Sequence, residues 1–321
     1  MTNKKDKKVL VIGGAGYIGG CLTDQLAAAD YQPTVFDSLL YESRFLKDTP
    51  FVRGDIRDTD TLVKIHSEYD SIIWLAALVG DGACAHDPEL TYEVNFHSIK
   101  RFLEKTKRRL LFPSTCSVYG AQDGLLDETS TPKPLSVYAE AKLLAEKCVL
   151  EYGGLAFRLG TLFGLGDNFS RIRLDLVVNV LTLKAVRDRK ITVFGGSQWR
   201  PIIAVKDVAG HFVEALESKG NDVYNLGLKN VRIFELGEVF KKFFPDLKIE
   251  IVHSQFEDLR NYQISTAKVE KAFKYRPQRT VEQEVQDMIK LLTEHRIKDP
   301  LDPVYYNAYF VKAVLERIQN W

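Results

Sequence analysis

Tyr138 and Lys142 stand four residues apart in the run SVYAEAKLLAEKCVL. Ala, Leu, Glu and Lys dominate that run and favour a helix. Positions i and i+4 share a helix face, so the phenol and the ammonium point the same way. A lysine beside a phenol favours the phenolate and lowers its pKa from about 10. A phenol so placed can act as acid or base near neutral pH. The same pair is common on exposed helix faces, so the chemistry depends on what lies within reach.

A second constellation supplies a candidate. KKVLVIGGAGYIGGCLTDQLAAA reads as a buried strand, a glycine turn and an amphipathic helix. Gly13, Gly16 and Gly19 give a G-x-x-G-x-x-G spacing, close to the dinucleotide fingerprint. Such a turn lets the backbone approach a pyrophosphate, which the helix N-terminus then faces. The next strand, in PTVFDSLL, ends in Asp37 about twenty residues beyond the loop. A carboxylate there accepts from a ribose 2′-OH and repels a 2′-phosphate. Ser38, Leu39 and Leu40 follow rather than a basic residue, so NAD is favoured over NADP.

The elements that must position these groups alternate. FVRGDIRD and SIIWLAALVGD read as strands around a helix from about 58 to 66. A long helix from about Pro88 to Lys107 leads to RLLFPSTCSVYG, a fifth strand ending in Ser114, Thr115, Cys116 and Ser117. Strands alternating with helices predict an α/β fold, a Rossmann-type doubly wound parallel sheet. Hydroxyls at the carboxyl end of a strand sit where such sheets bind ligands. Ala76 and Ala77, at the end of the fourth strand, would let a cofactor lie close, or would serve helix–sheet packing. Val79 and Gly80 just beyond them could touch a substrate. After a sixth strand in GGLAFRL the alternation loosens into short strands and helices. This predicts a smaller mixed α/β C-terminal substrate lobe. The expected division is residues 1–165, with 200–218 returning, for the nucleotide-binding part and 166–321 for the substrate lobe.

Composition bounds the partners. The chain has 321 residues, 45% hydrophobic and 27% charged, with a formal net charge of +1, so no global field points to nucleic acid or to a membrane surface. No apolar run reaches the roughly 18 residues a bilayer span requires. Cys21, Cys84, Cys116 and Cys148 are widely spaced and the histidines scattered, which suggests reduced thiols, no metal site and a cytoplasmic setting.

The motifs GGAGYIGG, Asp37, Gly54-Asp55-Ile56, Leu75-Ala76-Ala77, Asn95, STCSVYG, YAEAK, RLGTLFGLG, QWRPIIAVKDVA and DLRNYQISTAKVEKAFKYRP follow in order. Together they resemble the extended short-chain dehydrogenase/reductase family, within it the nucleotide-sugar epimerases and dehydratases. The resemblance implies a Tyr138 base at a sugar hydroxyl, a Lys142 that tunes it and holds the nicotinamide ribose, and a Thr115 that bonds the reacting hydroxyl. It implies NAD contacts from Gly13, Gly16, Tyr17, Ile18, Asp37, Asp55, Ile56, Leu75, Ala76, Ala77 and Asn95, and from Tyr138 and Lys142. Substrate contacts would come from Val79, Gly80, Thr115, Cys116, Ser117 and Asn179, with Arg200 and Arg260 on a diphosphate. Trp74 stands where many relatives have His, and Thr161 where galactose epimerases have Asn, which speaks against galactose-type substrates.

The implied reaction is NAD-dependent 4-epimerisation of a nucleoside-diphosphate sugar through a transient 4-keto sugar. An NDP-sugar or NDP-heptose 4-dehydrogenase or 4-ketoreductase shares the first step. A 4,6-dehydratase would need acids where Cys116 and Ser117 stand, and a non-catalytic NAD sensor would not need Tyr138 and Lys142. Cys116 reads as a packing or substrate-contacting residue, or as an acid/base thiol. Trp199 would stack on ligand or pack between lobes. A homodimer pairing the helices at 88–107 and 136–151 is implied, and the aromatic tail from Asp299 to Trp321 is expected to dock on the second lobe.

Overall fold

The computed structural model of the chain describes residues 6–252, 261–294 and 296–319. Its first half follows the strand–helix alternation: β1 (Lys8–Ile12), α1 (Tyr17–Ala28), β2 (Gln32–Asp37), β3 (Phe51–Arg53), α2 (Thr59–Ile65), β4 (Ser71–Trp74) and α3 (Asp81–Cys84). Next come α4 (Pro88–Tyr92) and α5 (Ser98–Thr106), joined by a π-helical turn over Glu93–His97. β5 (Leu111–Thr115) is followed by β6 (Ala121–Leu126), α6 (Val137–Glu151), β7 (Leu155–Leu159) and β8 (Thr161–Phe163).

The second half holds α7 (Val177–Asp188), β9 (Lys190–Phe194), β10 (Trp199–Ala204), α8 (Val205–Ala215), β11 (Val223–Leu226) and β12 (Lys229–Arg232). It ends with α9 (Leu236–Phe243), β13 (Lys248–Val252), β14 (Asn261–Ile264), α10 (Ala267–Ala272), α11 (Val281–Thr293) and α12 (Asn307–Gln319).

Seven parallel strands in the order β11-β7-β5-β4-β1-β2-β3 form the main sheet. Side chains alternate across it. Val9 and Val11 join the core under α1 and α8, and Leu10 and Ile12 join the core with Phe102 of α5 and Val149 of α6. Burial on both faces explains why β1 reads as a continuous apolar run. The order of strands reverses between β1 and β4, which opens the crevice where such sheets take ligands.

β11 gives the sheet an edge strand from the second half, and α8 packs on α1. The remainder is mixed: β12-β10-β8, the pair β13-β9 and the pair β14-β6, around a core containing Phe163, Leu181, Ile202 and Phe240. Among the described residues no helix is long and apolar enough to cross a membrane.

One strand is not foreseen in the sequence, and one expectation holds only in part. β6 pairs in parallel with β14 across about 140 residues, and nothing in the polar stretch AQDGLL announces a strand. The tail divides: Tyr305 and Tyr306 pack with Leu174, Leu183 and Met288 of the second lobe, as expected, whereas α12 turns to the first. Val311 and Ile318 of α12 are buried with Leu78, Ala83, Cys84 and Leu90, because that face of α12 repeats apolar residues at helical spacing. Trp321 lies outside the described residues.

Candidate active site

The chain leaves β1 through Gly13, whose φ of 83° favours glycine. A Cβ there would lie 2.4 Å from the Ala76 nitrogen, so Gly13 lets the ends of β1 and β4 meet. Gly16 caps α1 without a side-chain bond, and no acid stands in the first turn. Free N–H groups and the positive helix end therefore remain for an anion. Asp37, at the end of β2, accepts from the Ala15 nitrogen at 3.0 Å and the Leu39 nitrogen at 2.8 Å. Burial still raises its carboxyl above the ordinary value.

Gly13, Gly16, Ile18, Asp37, Asp55, Ile56, Leu75, Ala76 and Ala77 all line one cavity of about 660 Å³. Glycine turn, helix end and strand-end carboxylate fit a dinucleotide. Asp55 is already engaged by Arg57, with Nη2 at 2.7 Å. Tyr17 borders the cavity but donates its hydroxyl to the Gly164 carbonyl at 2.5 Å. Asn95 spends its amide on the Leu78 nitrogen and carbonyl, both at 2.8 Å, and so shapes the loop after β4 from beneath.

Tyr138 and Lys142 enter the same cavity from the first turns of α6. Ser136 caps that helix, accepting from the Ala139 nitrogen and donating to Asp81 at 2.6 Å. Thr115, at the end of β5, hydrogen-bonds Tyr138 and also accepts from the Ser117 nitrogen at 3.1 Å. One turn past Lys142, Glu146 accepts from Ser114 at 2.5 Å and pairs with Arg158 at 2.7 Å, and Arg158 donates to the Tyr119 hydroxyl at 2.9 Å. All four residues are buried, so the network fixes α6 against β5 and β7.

The electrostatics depart from the lysine-lowered phenol read from the sequence. Burial is the largest influence on Tyr138 and raises its phenol, with Cys84 and Asp81 adding to it and Arg173 and Thr115 opposing. Burial also brings Lys142 down to about 7, so it carries only part of its charge at neutral pH. Its nitrogen lies 3.9 Å from the centre of the Phe112 ring. Desolvation outweighs the spacing argument in this structure.

On the substrate side, Val79, Gly80, Thr115, Ser117 and Arg200 line the cavity. Cys116 does not: its thiol is fully buried and donates to the Arg158 carbonyl at 3.2 Å. Asn179 is consumed by the Gly164 nitrogen at 2.8 Å and the Arg173 carbonyl at 2.8 Å. Arg200 lines the cavity together with Phe194, Gln198 and Tyr262. Arg260 lies outside the described residues. Trp199 carries the Arg232 guanidinium 4.9 Å from its ring centre.

Sequence reasoning missed several lining residues, among them Tyr41, Arg171, Arg173, Asp175, Asn307 and Ile318. Arg173 pairs with Asp175 at 2.9 Å. The alternating arginines of SRIRLD, just ahead of α7, were the available signal.

Known proteins resemble this chain in sequence and fold. The profile of the NAD dependent epimerase/dehydratase family matches residues 9–227. A UDP-glucose 4-epimerase of Rhizobium meliloti (strain 1021) is 32% identical over 157 residues, 46% of this chain and 48% of that protein. The match thus spans about half the length of that relative. The structure of a UDP-glucuronic acid 4-epimerase from Bacillus cereus, in complex with UDP-glucuronic acid and NAD, is 26% identical. It covers 89% of this chain and 99% of its own, with a TM-score of 0.76. A Thermotoga maritima UDP-glucose 4-epimerase with UDP-glucose, at 23% identity, 90% and 99% coverage and a TM-score of 0.79, shares the fold.

Proposed function

The chain belongs to the NAD dependent epimerase/dehydratase family, and we propose that it is an NAD-dependent nucleoside-diphosphate-sugar 4-epimerase working through a transient 4-keto sugar. The observation that carries this reading is one continuous cavity. It runs from the glycine turn and Asp37, past Tyr138, Thr115 and Lys142, to Arg200.

NAD held in this cavity would supply the acceptor for the C4 hydride and its donor for return to the opposite face of the keto sugar. Gly13 and Gly16 would let its pyrophosphate reach the end of α1, and Asp37 would accept from the adenosine ribose. Ile18, Asp55, Ile56, Leu75, Ala76 and Ala77 line its bed, and Tyr17 and Asn95 shape that bed from behind. Tyr138 takes the proton from the C4 hydroxyl and later returns it. The Thr115 hydroxyl orients that oxygen, and Lys142 favours the phenolate to the extent that it is charged. Val79, Gly80 and Ser117 flank the sugar, and Arg200 holds the diphosphate in the fork geometry that suits phosphate. Cys116 and Asn179 pack and position.

The same proposal takes residues 1–165 and 200–218, continued through β11, as the nucleotide-binding part, and 166–321 as the substrate part. It also includes a cytoplasmic homodimer paired through α4, α5 and α6. The relatives' named activities and ligands support the chemistry. The closest rival, a 4-dehydrogenase or 4-ketoreductase, shares every residue above and differs in releasing its product. Purified protein incubated with UDP-, GDP-, dTDP- and CDP-sugars, without added NAD, separates them. A C4 epimer with no net NADH supports epimerisation, whereas a keto sugar with stoichiometric NADH overturns it.

A further inference from the structure

One wall of the cavity comes from a part of the chain that the family profile, ending at residue 227, does not reach: Asn307 and Ile318 of α12. Asn307 is buried, and its amide and backbone join three parts of the molecule. Its Nδ2 donates to the Val79 carbonyl at 2.6 Å, its Oδ1 accepts from Arg171 Nη1 at 2.6 Å, and its backbone nitrogen donates to Asp175 at 2.9 Å. Arg171 closes the knot by donating from Nε and Nη2 to the Val304 carbonyl, at 2.9 and 2.7 Å. Further along α12, Val311 and Ile318 are buried with Leu78 and Cys84, and Tyr138 packs against that cluster. The helix that covers the outer side of Tyr138 is thus tied, through one amide, to the loop beside the sugar and to the substrate part.

We propose that α12 is a wall of the active site and that Asn307 is the positioning residue holding it shut, so that the keto sugar is retained until it is reduced. The inference rests on the 4-epimerase reading. Forming the ketone breaks the C4–H and O–H bonds and makes the C4=O bond. The proton goes to Tyr138, and the hydrogen with two electrons goes to NAD. Escape at that stage leaves one NADH for each keto sugar released, whereas retention returns both. A site closed to water also keeps its electrostatics strong and its intermediate from being lost.

Two variants and two readouts test this. Asn307→Ala removes the bridging amide, and Ile318→Ala trims the apolar face while leaving the Asn307 bonds in place. The first readout is NADH accumulated per epimer formed. The second needs neither sugar nor NAD: the rate at which the buried thiol of Cys84 reacts with a disulfide reagent, located by peptide mass. Asn307→Ala removes two buried hydrogen bonds and should raise both by about tenfold or more, and Ile318→Ala should raise both to a smaller extent. Unchanged NADH accumulation and unchanged Cys84 reactivity in both variants would overturn the proposal, whatever happens to the turnover rate. If the parent protein itself left NADH at every turnover, the 4-epimerase reading would fail, and Cys84 labelling would then decide alone whether α12 is held by Asn307.

Discussion

Lys142 holds its nitrogen 3.9 Å from the centre of the Phe112 ring, one helical turn beyond Tyr138. Ring and burial together describe a cation kept in an expensive place: contact with an aromatic face returns part of the lost hydration, but not all of it. The spacing that reads as a simple charge pair in the sequence becomes a lysine whose own protonation is in play.

The pH dependence of stability should report this. Folding brings Lys142 from 10.5 to about 7. Between those values the unfolded chain holds more protons than the folded one, so stability contributed at this site rises with pH through that window. Lys142→Met should be more stable than the parent at pH 6, with the gap narrowing toward pH 9. Urea unfolding across that range measures it, and a gap independent of pH contradicts the assignment.

Tyr138→Phe keeps the packing against Leu78 and Cys84 and removes the proton acceptor. Turnover should fall by roughly 10²–10⁴-fold, the usual contribution of a positioned acid/base group, while NAD affinity stays within a few-fold. Single-turnover kinetics beside calorimetric NAD binding checks both halves. Turnover within about threefold of the parent would mean that another group does the proton transfer.

Asp37 faces the cavity at the end of β2 and accepts from two backbone nitrogens. Asp37→Ala should weaken NAD by about 1.5–3 kcal/mol, the worth of a hydrogen bond to a charged group. It should also narrow the preference for NAD over NADP, because the charge that repels a 2′-phosphate is gone. Titration calorimetry with both dinucleotides tests this, and an unchanged preference counts against the site.

The Glu146–Arg158 pair is a stability prediction independent of function. Glu146→Leu strands a buried guanidinium and should cost about 3–5 kcal/mol. The double change Glu146→Leu/Arg158→Met should cost less than that single change. Equilibrium denaturation of the three variants settles it, and simple additivity would mean that the pair is not coupled.

The sequence was legible where a local pattern carries the structure. The glycine turn, Asp37 at a strand end and the apolar runs of the parallel sheet are of this kind, since each follows from spacing or burial along a few residues. It was not legible where partners come from far along the chain. Nothing in Tyr17 or Asn179 says that both will spend their polar atoms on the turn around Gly164. β6 finds β14 only once the fold has brought the lobes together. α12 shows an apolar stripe, but the stripe does not say which lobe it covers. The pKa of Lys142 is likewise a property of the closed site rather than of helical spacing.

The central claim, reversible oxidation at C4 inside a retaining site, is tested most directly with the sugar nucleotide that the panel of UDP-, GDP-, dTDP- and CDP-sugars identifies, carrying deuterium at C4. Proton and deuterium NMR would follow the reaction in ordinary water. The account predicts a C4 epimer that still carries its deuterium at C4, with no net change in NADH absorbance. Epimer formed with loss of the label to solvent hydrogen, or a ketone accumulating with NADH, would contradict it.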